Sequence, residues 1–523
     1  MIFINKNLRW QATIFPLISG LLLAISFPLP GLKIMAWLAL IPLFYIIDKG
    51  TRREAVRGGF ISGFVFFTLL LYWVTNSMTN YGGLPRSVGV IILFVLATYL
   101  AGYFALFAWI LSLFPGESSH IKWFTAPLAW VALELIRSHL FTGFPWGLIG
   151  YSQFDNLRLI QIADITGVYG VSFLIIIVNI SLYLYVSNLK DRKKNRRLVS
   201  AYLLVSTILI GGTAIYGRKR VVNYNPEEGK PLKVALIQGN IAQNMKWDSA
   251  YKNLIVDTYK GMTESILSER PDLIVWPESS LPFYLQEEGE ERDNLLGFVD
   301  KSGISFLIGA DGYRIVNRQI ESYNRAYFLT PDNKGNYYDK IHLVPYGEYI
   351  PLKPLFPFLG KLVEGVGDFG TGDTYKVFDL PKGRFATLIC YEIIFPDLTR
   401  KFVGEGAQFL VNITNDAWFG VSSAPYQHIA MVPFRAVENR IPIVRGANTG
   451  ISGFINPIGN IVQYSDIFVG ETLIGDIRLN DNVGKTFYSR YGDIFAYICL
   501  LISITAIFYI KFRHKEEMGR EDG

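Results

Sequence analysis

Val199-Ser-Ala-Tyr-Leu-Leu-Val-Ser-Thr-Ile-Leu-Ile-Gly-Gly-Thr-Ala-Ile-Tyr-Gly217 carries no charge, and Lys233-Val-Ala-Leu-Ile-Gln238 follows it after a short polar stretch. The first run has the length of a helix that crosses a bilayer, which takes about 20 apolar residues. The second is a short apolar run of the kind that forms a strand buried on both faces. Near residue 221 the chain therefore passes from a membrane-spanning to a soluble, strand-bearing part. Towards the N-terminus, further apolar stretches lie near 11–29, 33–48, 59–78, 88–114, 121–138 and 163–187, and a last one lies near 491–510. The expected fold is a polytopic α-helical membrane bundle of about eight spans plus an α/β domain. Its parts are a seven-helix bundle over 1–220, an outer domain over 221–485, and a closing helix and tail over 486–523.

Composition agrees with that division. Hydrophobic residues make up 50% of the 523 and charged residues only 18%, against about 25% charge in an ordinary soluble domain. Disorder, collagen and coiled coil are excluded, because each needs more polarity, a glycine period or sustained heptads. Two cysteines exclude a disulfide framework and a Cys-rich zinc module. Lys6 and Arg9 before the first apolar run resemble the start of a secretory signal. The run ends in Ser26-Phe27-Pro28-Leu29-Pro30 without a small-residue cleavage site, so a retained helix is expected.

The net charge of +6 is explained by topology rather than by nucleic acid. Lys49, Arg52, Arg53, Arg57, Lys122 and the Lys190–Arg197 run fall in one set of loops, with the N-terminus and the tail Lys511, Arg513 and Lys515. The opposite short loops hold little beyond Lys33, Arg86 and Arg158. Basic residues mark the cytoplasmic side. Both termini are then expected inside and the 221–485 domain outside, although Arg218, Lys219 and Arg220 run against the rule.

Within the outer domain, strands are predicted at 233–238, 272–276, 305–309, 384–390 and 408–412, with a helix around 249–268, a pattern of α/β layers. Gly484-Lys485-Thr486 lacks the first glycine of a phosphate loop, and Gly450-Ile-Ser-Gly-Phe454 lacks the last glycine of a nucleophile elbow. Five histidines form no close ligand pair, so neither a metal nor a cofactor is expected.

Three residues carry nucleophile chemistry when taken together. Cys390 ends an apolar strand in Leu388-Ile-Cys-Tyr-Glu392, Glu278 follows Trp276-Pro277 at another strand end, and Lys340 lies in Tyr338-Asp-Lys-Ile-His-Leu-Val-Pro-Tyr-Gly-Glu348. Singly, each suits a plainer role: a buried small hydrophobe, a helix cap, a surface charge. As a set, a carboxylate takes the thiol proton, the thiolate attacks, and an ammonium stabilises the oxyanion. Cys499 falls in the last apolar stretch, so a disulfide with Cys390 is not expected.

In those contexts and in that order, the three residues resemble the Glu-Lys-Cys set of the nitrilase, or carbon–nitrogen hydrolase, superfamily. Seven spans before such a domain and one after it are similar to the bacterial apolipoprotein N-acyltransferase family. Gln238-Gly-Asn-Ile241 with Lys246-Trp247, Asn415-Asp-Ala-Trp-Phe-Gly420 and Thr142-Gly-Phe-Pro-Trp146 also match.

The resemblance implies a nitrilase-like α-β-β-α sandwich, with Cys390 as nucleophile, Glu278 as general base and Lys340 as oxyanion stabiliser. Glu348 would orient Lys340, and Tyr391, Glu392, Trp247 and Trp418 would support activity or substrate access. It further implies acyl transfer from the sn-1 position of phosphatidylethanolamine, through a thioester on Cys390, to the α-amine of a diacylglyceryl-modified apolipoprotein. The expected setting is a bacterial inner membrane with the domain in the periplasm, a phospholipid donor, no nucleic acid, and a monomer. Pro354–Leu359 and the glycine-rich Gly365–Gly370 suit a mobile apolar lid. Glu134 and Arg137, three apart near a span end, are either partners in the bundle or interfacial anchors. A tethered amidase acting on small amides would use the same three residues, and a scaffold with an inert outer domain is a further alternative.

Overall fold

The protein is described from a computed structural model covering residues 6–80, 82–114, 119–189, 196–246, 249–332, 335–349, 369–480 and 485–521. It divides into two compact units, Met1–Tyr72 with Val90–Val221 and Tyr491–Gly523, and Trp73–Gly89 with Val222–Arg490.

The first unit is helical. Arg86–Ser112, Val168–Ser187, Arg196–Val222 and Ile494–Phe512 are, among the described residues, the single helices long and apolar enough to cross a membrane. Arg52–Leu70 and Val74–Asn80 together pass the same test but are bent by 49° at the break. The sequence expectation of eight spans is therefore not matched helix for helix. The 33–48 stretch forms a 3-10 turn, Lys33–Trp37, and a nine-residue helix, Ile41–Lys49. At about 1.5 Å per residue that helix covers roughly half the hydrocarbon thickness. The apolar part of the first helix, Trp10–Ile25, is also short.

Close packing in this unit depends on Gly59 and Gly63, spaced i, i+4 on one face of the Arg52–Leu70 helix. A Cβ on Gly59 would lie 2.4 Å from the Phe104 carbonyl oxygen, and one on Gly63 would lie 2.9 Å from the Ala101 Cα. Such small-residue faces let apolar helices approach where no hydrophobic force separates protein from lipid. Glu134 and Arg137 are both buried, and both fasten the loop that follows their helix. Glu134 Oε1 accepts the Ile149 N–H at 2.9 Å, and Arg137 Nη1 donates to the Trp146 carbonyl at 2.7 Å. Both side chains are thus built into the bundle.

The second unit is a sandwich of two six-stranded mixed sheets. One sheet contains β1 (Lys230–Gln238), β2 (Leu273–Leu281), β3 (Ser305–Val316), β4 (Gln319–Leu329), β5 (Gly335–Asp339) and β12 (Glu471–Leu479), in the order β12-β1-β2-β3-β4-β5. The other contains β6 (Val377–Leu380), β7 (Gly383–Ile389), β8 (Phe409–Thr414), β9 (Ile443–Ala447), β10 (Gly453–Ile455) and β11 (Ile461–Tyr464), in the order β11-β10-β9-β8-β7-β6. β1, β2 and β3 run parallel, as do β7, β8 and β9, while the outer strands are antiparallel. The parallel strands are buried on both faces, which is why they appear in the sequence as unbroken apolar runs.

Alternate residues of the first sheet, among them Ala235, Ile237, Ile274, Trp276 and Phe306, pack beneath the helices Lys252–Glu264 and Glu290–Ser302. The opposite face meets the second sheet, as where Val275 lies against Gly446 and Phe328 against Phe385. Pro396–Gly404 and Ala424–Asn439 flank the second sheet. The result is the α-β-β-α sandwich that the resemblance implies.

Trp73–Gly89 belongs with the sandwich although it is flanked in sequence by apolar helices. Trp73 Nε1 donates to Gln427 Oε1 at 3.2 Å, its ring meets Phe419 edge-on at 4.8 Å, and the Ser77 hydroxyl donates to the Trp418 carbonyl at 2.8 Å. The third apolar stretch thus ends as a strap on the sandwich rather than as a continuous span.

Candidate active site

Glu278 sits where β2 leaves its ladder. The register with β3 shifts between Trp276 and Leu281, and Ser279 takes a left-handed φ of 50°. Gly309 is required opposite this bulge, because a Cβ there would lie 2.4 Å from the Pro277 carbonyl oxygen and 2.6 Å from the Glu278 Cα. The bulge turns the side chain out of the strand alternation. Its carboxylate accepts Asn324 Nδ2 at 2.7 Å on one oxygen and the Asn415 N–H at 2.8 Å on the other.

Lys340 follows β5 directly. The preceding Asp339 is gripped by Arg314 at 2.7 Å and Arg325 at 3.0 Å, which fixes the strand end. The Lys340 ammonium, almost fully buried, lies 2.8 Å from Glu348 Oε1 and 3.8 Å from Glu278 Oε1. Burial opposes its charge, but the carboxylates of Glu348 and Glu278 outweigh burial and hold its pKa above the ordinary lysine value. Glu348 also accepts Asn324 Nδ2 at 2.7 Å and the Val344 N–H at 2.8 Å. One amide thus serves both carboxylates that flank the ammonium.

Cys390 begins the turn after β7 with a φ of 52°. A non-glycine residue held there stores on the order of 1–3 kcal/mol, and such strain gathers at working sites. Burial pushes the thiol pKa up and the Glu278 carboxylate adds to that, while the Lys340 ammonium and a hydrogen bond with Thr414 pull it back. The resting group is a thiol, and a thiol so placed needs a proton acceptor before it can act as a nucleophile.

Glu392 joins the two halves of the site from below. Its Oε1 accepts the N–H groups of Ile341 at 2.8 Å and His342 at 3.0 Å and the Tyr338 hydroxyl at 2.7 Å. Its Oε2 accepts the Ile389 N–H at 2.7 Å. Tyr391 is buried against the rings of Phe395 and His342. His342 is held neutral above a pKa of about 4 by burial and by Lys340. Trp418 is 39% exposed on the turn Asp416–Phe419, just beyond Asn415. Trp247 lies outside the described residues, as do positions 354–359 and 365–368 of the glycine-rich segment. Phe369 and Gly370 are tied down, to the carbonyls of Glu348 at 3.0 Å and Ser322 at 2.7 Å.

Behind Cys390 lies a buried charge cluster. Asp416 accepts Arg445 Nη2 at 2.9 Å and the Thr414 hydroxyl at 3.0 Å, and lies 3.0 Å from His428 Nδ1; Arg445 also bonds Asn412. Burial works against the Asp416 charge, but Arg445 and His428 overcome it and hold the carboxyl well below the usual range. Burial and then Arg445 keep His428 neutral.

The structure therefore brings Glu278, Lys340, Glu348 and Cys390 together and places Glu392 and Tyr391 under them. It adds Asn324, Asn415, Lys246 and Asp311, to which the sequence assigned no role. Asn324 lies inside the buried strand run Tyr323–Leu329, where a buried polar side chain implies a partner.

Two family models match the chain, "Apolipoprotein N-acyltransferase N-terminal domain" over residues 19–181 and "Carbon-nitrogen hydrolase" over residues 233–483. Among curated proteins, an apolipoprotein N-acyltransferase of Geobacter metallireducens is 44% identical over 95% of both chains. Those of Pasteurella multocida and Haemophilus influenzae are 33% and 32% identical, over 93% and 96% of this chain and 93% and 94% of theirs.

Proposed function

The chain belongs to the apolipoprotein N-acyltransferase family, and from that membership we propose how its residues carry the reaction. The observation that carries the proposal is the cluster in which one buried ammonium, Lys340, lies between Glu278 and Glu348 and acts on the Cys390 thiol. Glu278 takes the thiol proton as Cys390 attacks the sn-1 ester carbonyl of a phospholipid such as phosphatidylethanolamine. Lys340 stabilises the tetrahedral oxyanion. Glu278 returns the proton to the leaving glycerol oxygen, releasing lysophospholipid and leaving an acyl-thioester.

The neutral α-amine of a diacylglyceryl-cysteine N-terminus then attacks the thioester. Glu278 accepts the amine proton and delivers it to the departing sulfur, which restores the thiol. One nucleophile serves both substrates in turn, so the kinetics are ping-pong. Glu348 orients Lys340, and Glu392 and Tyr391 hold the turn that presents Cys390. The protein acts as a monomer in the inner membrane, with both termini cytoplasmic and the sandwich periplasmic. The lysine and arginine distribution supports that orientation. A small-amide hydrolase is not favoured, because the N-terminal match covers a membrane domain such a reaction does not need.

The test is mass spectrometry of a synthetic diacylglyceryl-cysteine lipopeptide incubated with purified protein and phosphatidylethanolamine. One acyl chain gained on the α-amine, and not gained with Cys390→Ala, is the expected result. Free fatty acid with an unmodified peptide would overturn the transferase reading.

A further inference from the structure

The bulge that presents Glu278 frees its backbone carbonyl from the ladders on both sides, since β2 pairs with β1 only up to Val275 and its register with β3 breaks after Trp276. A buried carbonyl without a partner is costly. Here the partner is a charged side chain: Lys246, 3% exposed, donates from Nζ to the Glu278 carbonyl oxygen at 3.3 Å. The loop that carries Lys246 is held from the second sheet. Asn448 Nδ2 donates to the Ile241 carbonyl at 2.8 Å, and Asn415 Nδ2 donates to Gln243 Oε1 at 2.7 Å. Asn415 is also the residue whose N–H binds the Glu278 carboxylate. One small framework thus fixes both the carboxylate and the ammonium behind it.

Asp311 completes the arrangement. It lies on β3 directly opposite Asn324 of β4, the residue whose amide serves Glu278 and Glu348. The charged groups facing Lys246 are Glu278 from β2 and Asp311 from β3, and those facing Asp311 are Glu278, Glu348 and Lys246. Beyond them Lys340 balances Glu278 and Glu348. The reaction described above uses neither Lys246 nor Asp311.

We propose that Lys246 is a positioning residue for Glu278, its ammonium holding the bulged carbonyl in place. The proposal rests on Glu278 being the proton acceptor for Cys390. Burial pulls Lys246 down to about 8, against the opposing pull of Glu278 and Asp311. Burial, with Glu278 and Glu348, pushes Asp311 up to about 7. As pH rises through about 8 the ammonium is lost, and with it the charge-assisted bond that holds the bulge.

The test follows thioester formation alone, read as lysophospholipid released in a single turnover, so that the acceptor amine does not contribute. The full-length enzyme in phosphatidylethanolamine vesicles should slow above roughly pH 8. Lys246→Met should be slower by roughly tenfold or more at pH 7 and should lose the fall above pH 8. Asp311→Asn should start that fall at lower pH, because removing a neighbouring carboxylate lets an ammonium lose its proton sooner. Lys246→Met with the wild-type rate and profile overturns the proposal. If thermal melts show that variant unfolded, Asp311→Asn decides alone, and a fall left in place or moved upward overturns it. Glu278→Gln run alongside separates the two readings. An active Glu278→Gln removes the general base and this inference with it, whereas an inactive one with unshifted variants removes the inference only.

Discussion

The Glu392 carboxylate accepts the backbone N–H of Ile341 at 2.8 Å, joining the strand end that carries Lys340 to the turn that carries Cys390. The same side chain takes the N–H groups of His342, which follows Ile341, and of Ile389, which directly precedes Cys390. Cys390 and Lys340 come from different sheets, and this buried carboxylate ties the backbone beside one to the backbone beside the other.

Glu392→Gln is therefore expected to damage the fold before the chemistry. A glutamine presents an NH2 group where one of four donors must be accepted, and the buried mismatch costs about 1–3 kcal/mol. The variant should melt several degrees lower and lose acyl transfer, while Cys390→Ala should melt like the wild type and be inactive. Differential scanning fluorimetry with the lipopeptide assay measures both.

The thiol of Cys390 should alkylate slowly at neutral pH. With its pKa raised by burial and by Glu278, little thiolate exists there, so iodoacetamide labelling in a Cys499→Ala background should climb from pH 7 to 9 without a plateau. Lys340→Met removes the ammonium that pulls the thiol pKa back, so it should label more slowly still. A plateau near pH 7 would mean a preformed thiolate and would remove the need for a base.

Asn324 offers two donors from one nitrogen, which is what two flanking carboxylates need. Asn324→Ala should lower kcat by roughly 10- to 100-fold, since hydrogen bonds to charged groups are worth about 1.5–3 kcal/mol. KM for phospholipid should change little, because no substrate contact is assigned to this amide. Steady-state kinetics in mixed micelles separates the two constants.

The strap residue Trp73 should matter to the catalytic unit rather than to the bundle. It is buried, and truncating such a ring costs about 3–5 kcal/mol. Hydrogen exchange of Trp73→Ala should show faster exchange in Asp416–Phe419 and Ala424–Asn439, the elements Trp73 and Ser77 contact. Unchanged protection there would mean that the strap does not stabilise the sandwich.

Much of this site is legible in the sequence for a physical reason. Strands buried on both faces appear as continuous apolar runs, and functional groups of α/β folds tend to stand where those runs stop, so Glu278 and Cys390 each appear beside a strand end, whereas Lys340 follows β5, a polar and partly exposed strand that leaves no apolar run. The Arg86–Ser112, Val168–Ser187 and Arg196–Val222 helices are equally plain, because lipid demands an unbroken apolar length. Helix breaks are less plain, as the 33–48 stretch illustrates: Pro42 sits just inside a short helix that begins only after a 3-10 turn, although the hydropathy runs through both.

The sequence by itself determined the division into an apolar helical part and a strand-bearing part, the strands β1, β2, β3, β7 and β8 of the sandwich, and the three residue types that suit covalent acyl transfer. Only the tertiary structure decided which groups support them: Asn324 between Glu278 and Glu348, Asn415 across from the other sheet, Lys246 behind the bulge, and the Trp73 strap reaching Gln427. Apolar periodicity is a local property, written wherever an element buries a face. A hydrogen bond between residues tens or hundreds of positions apart leaves no local pattern, because either partner alone is an ordinary polar side chain until the fold brings it to the other.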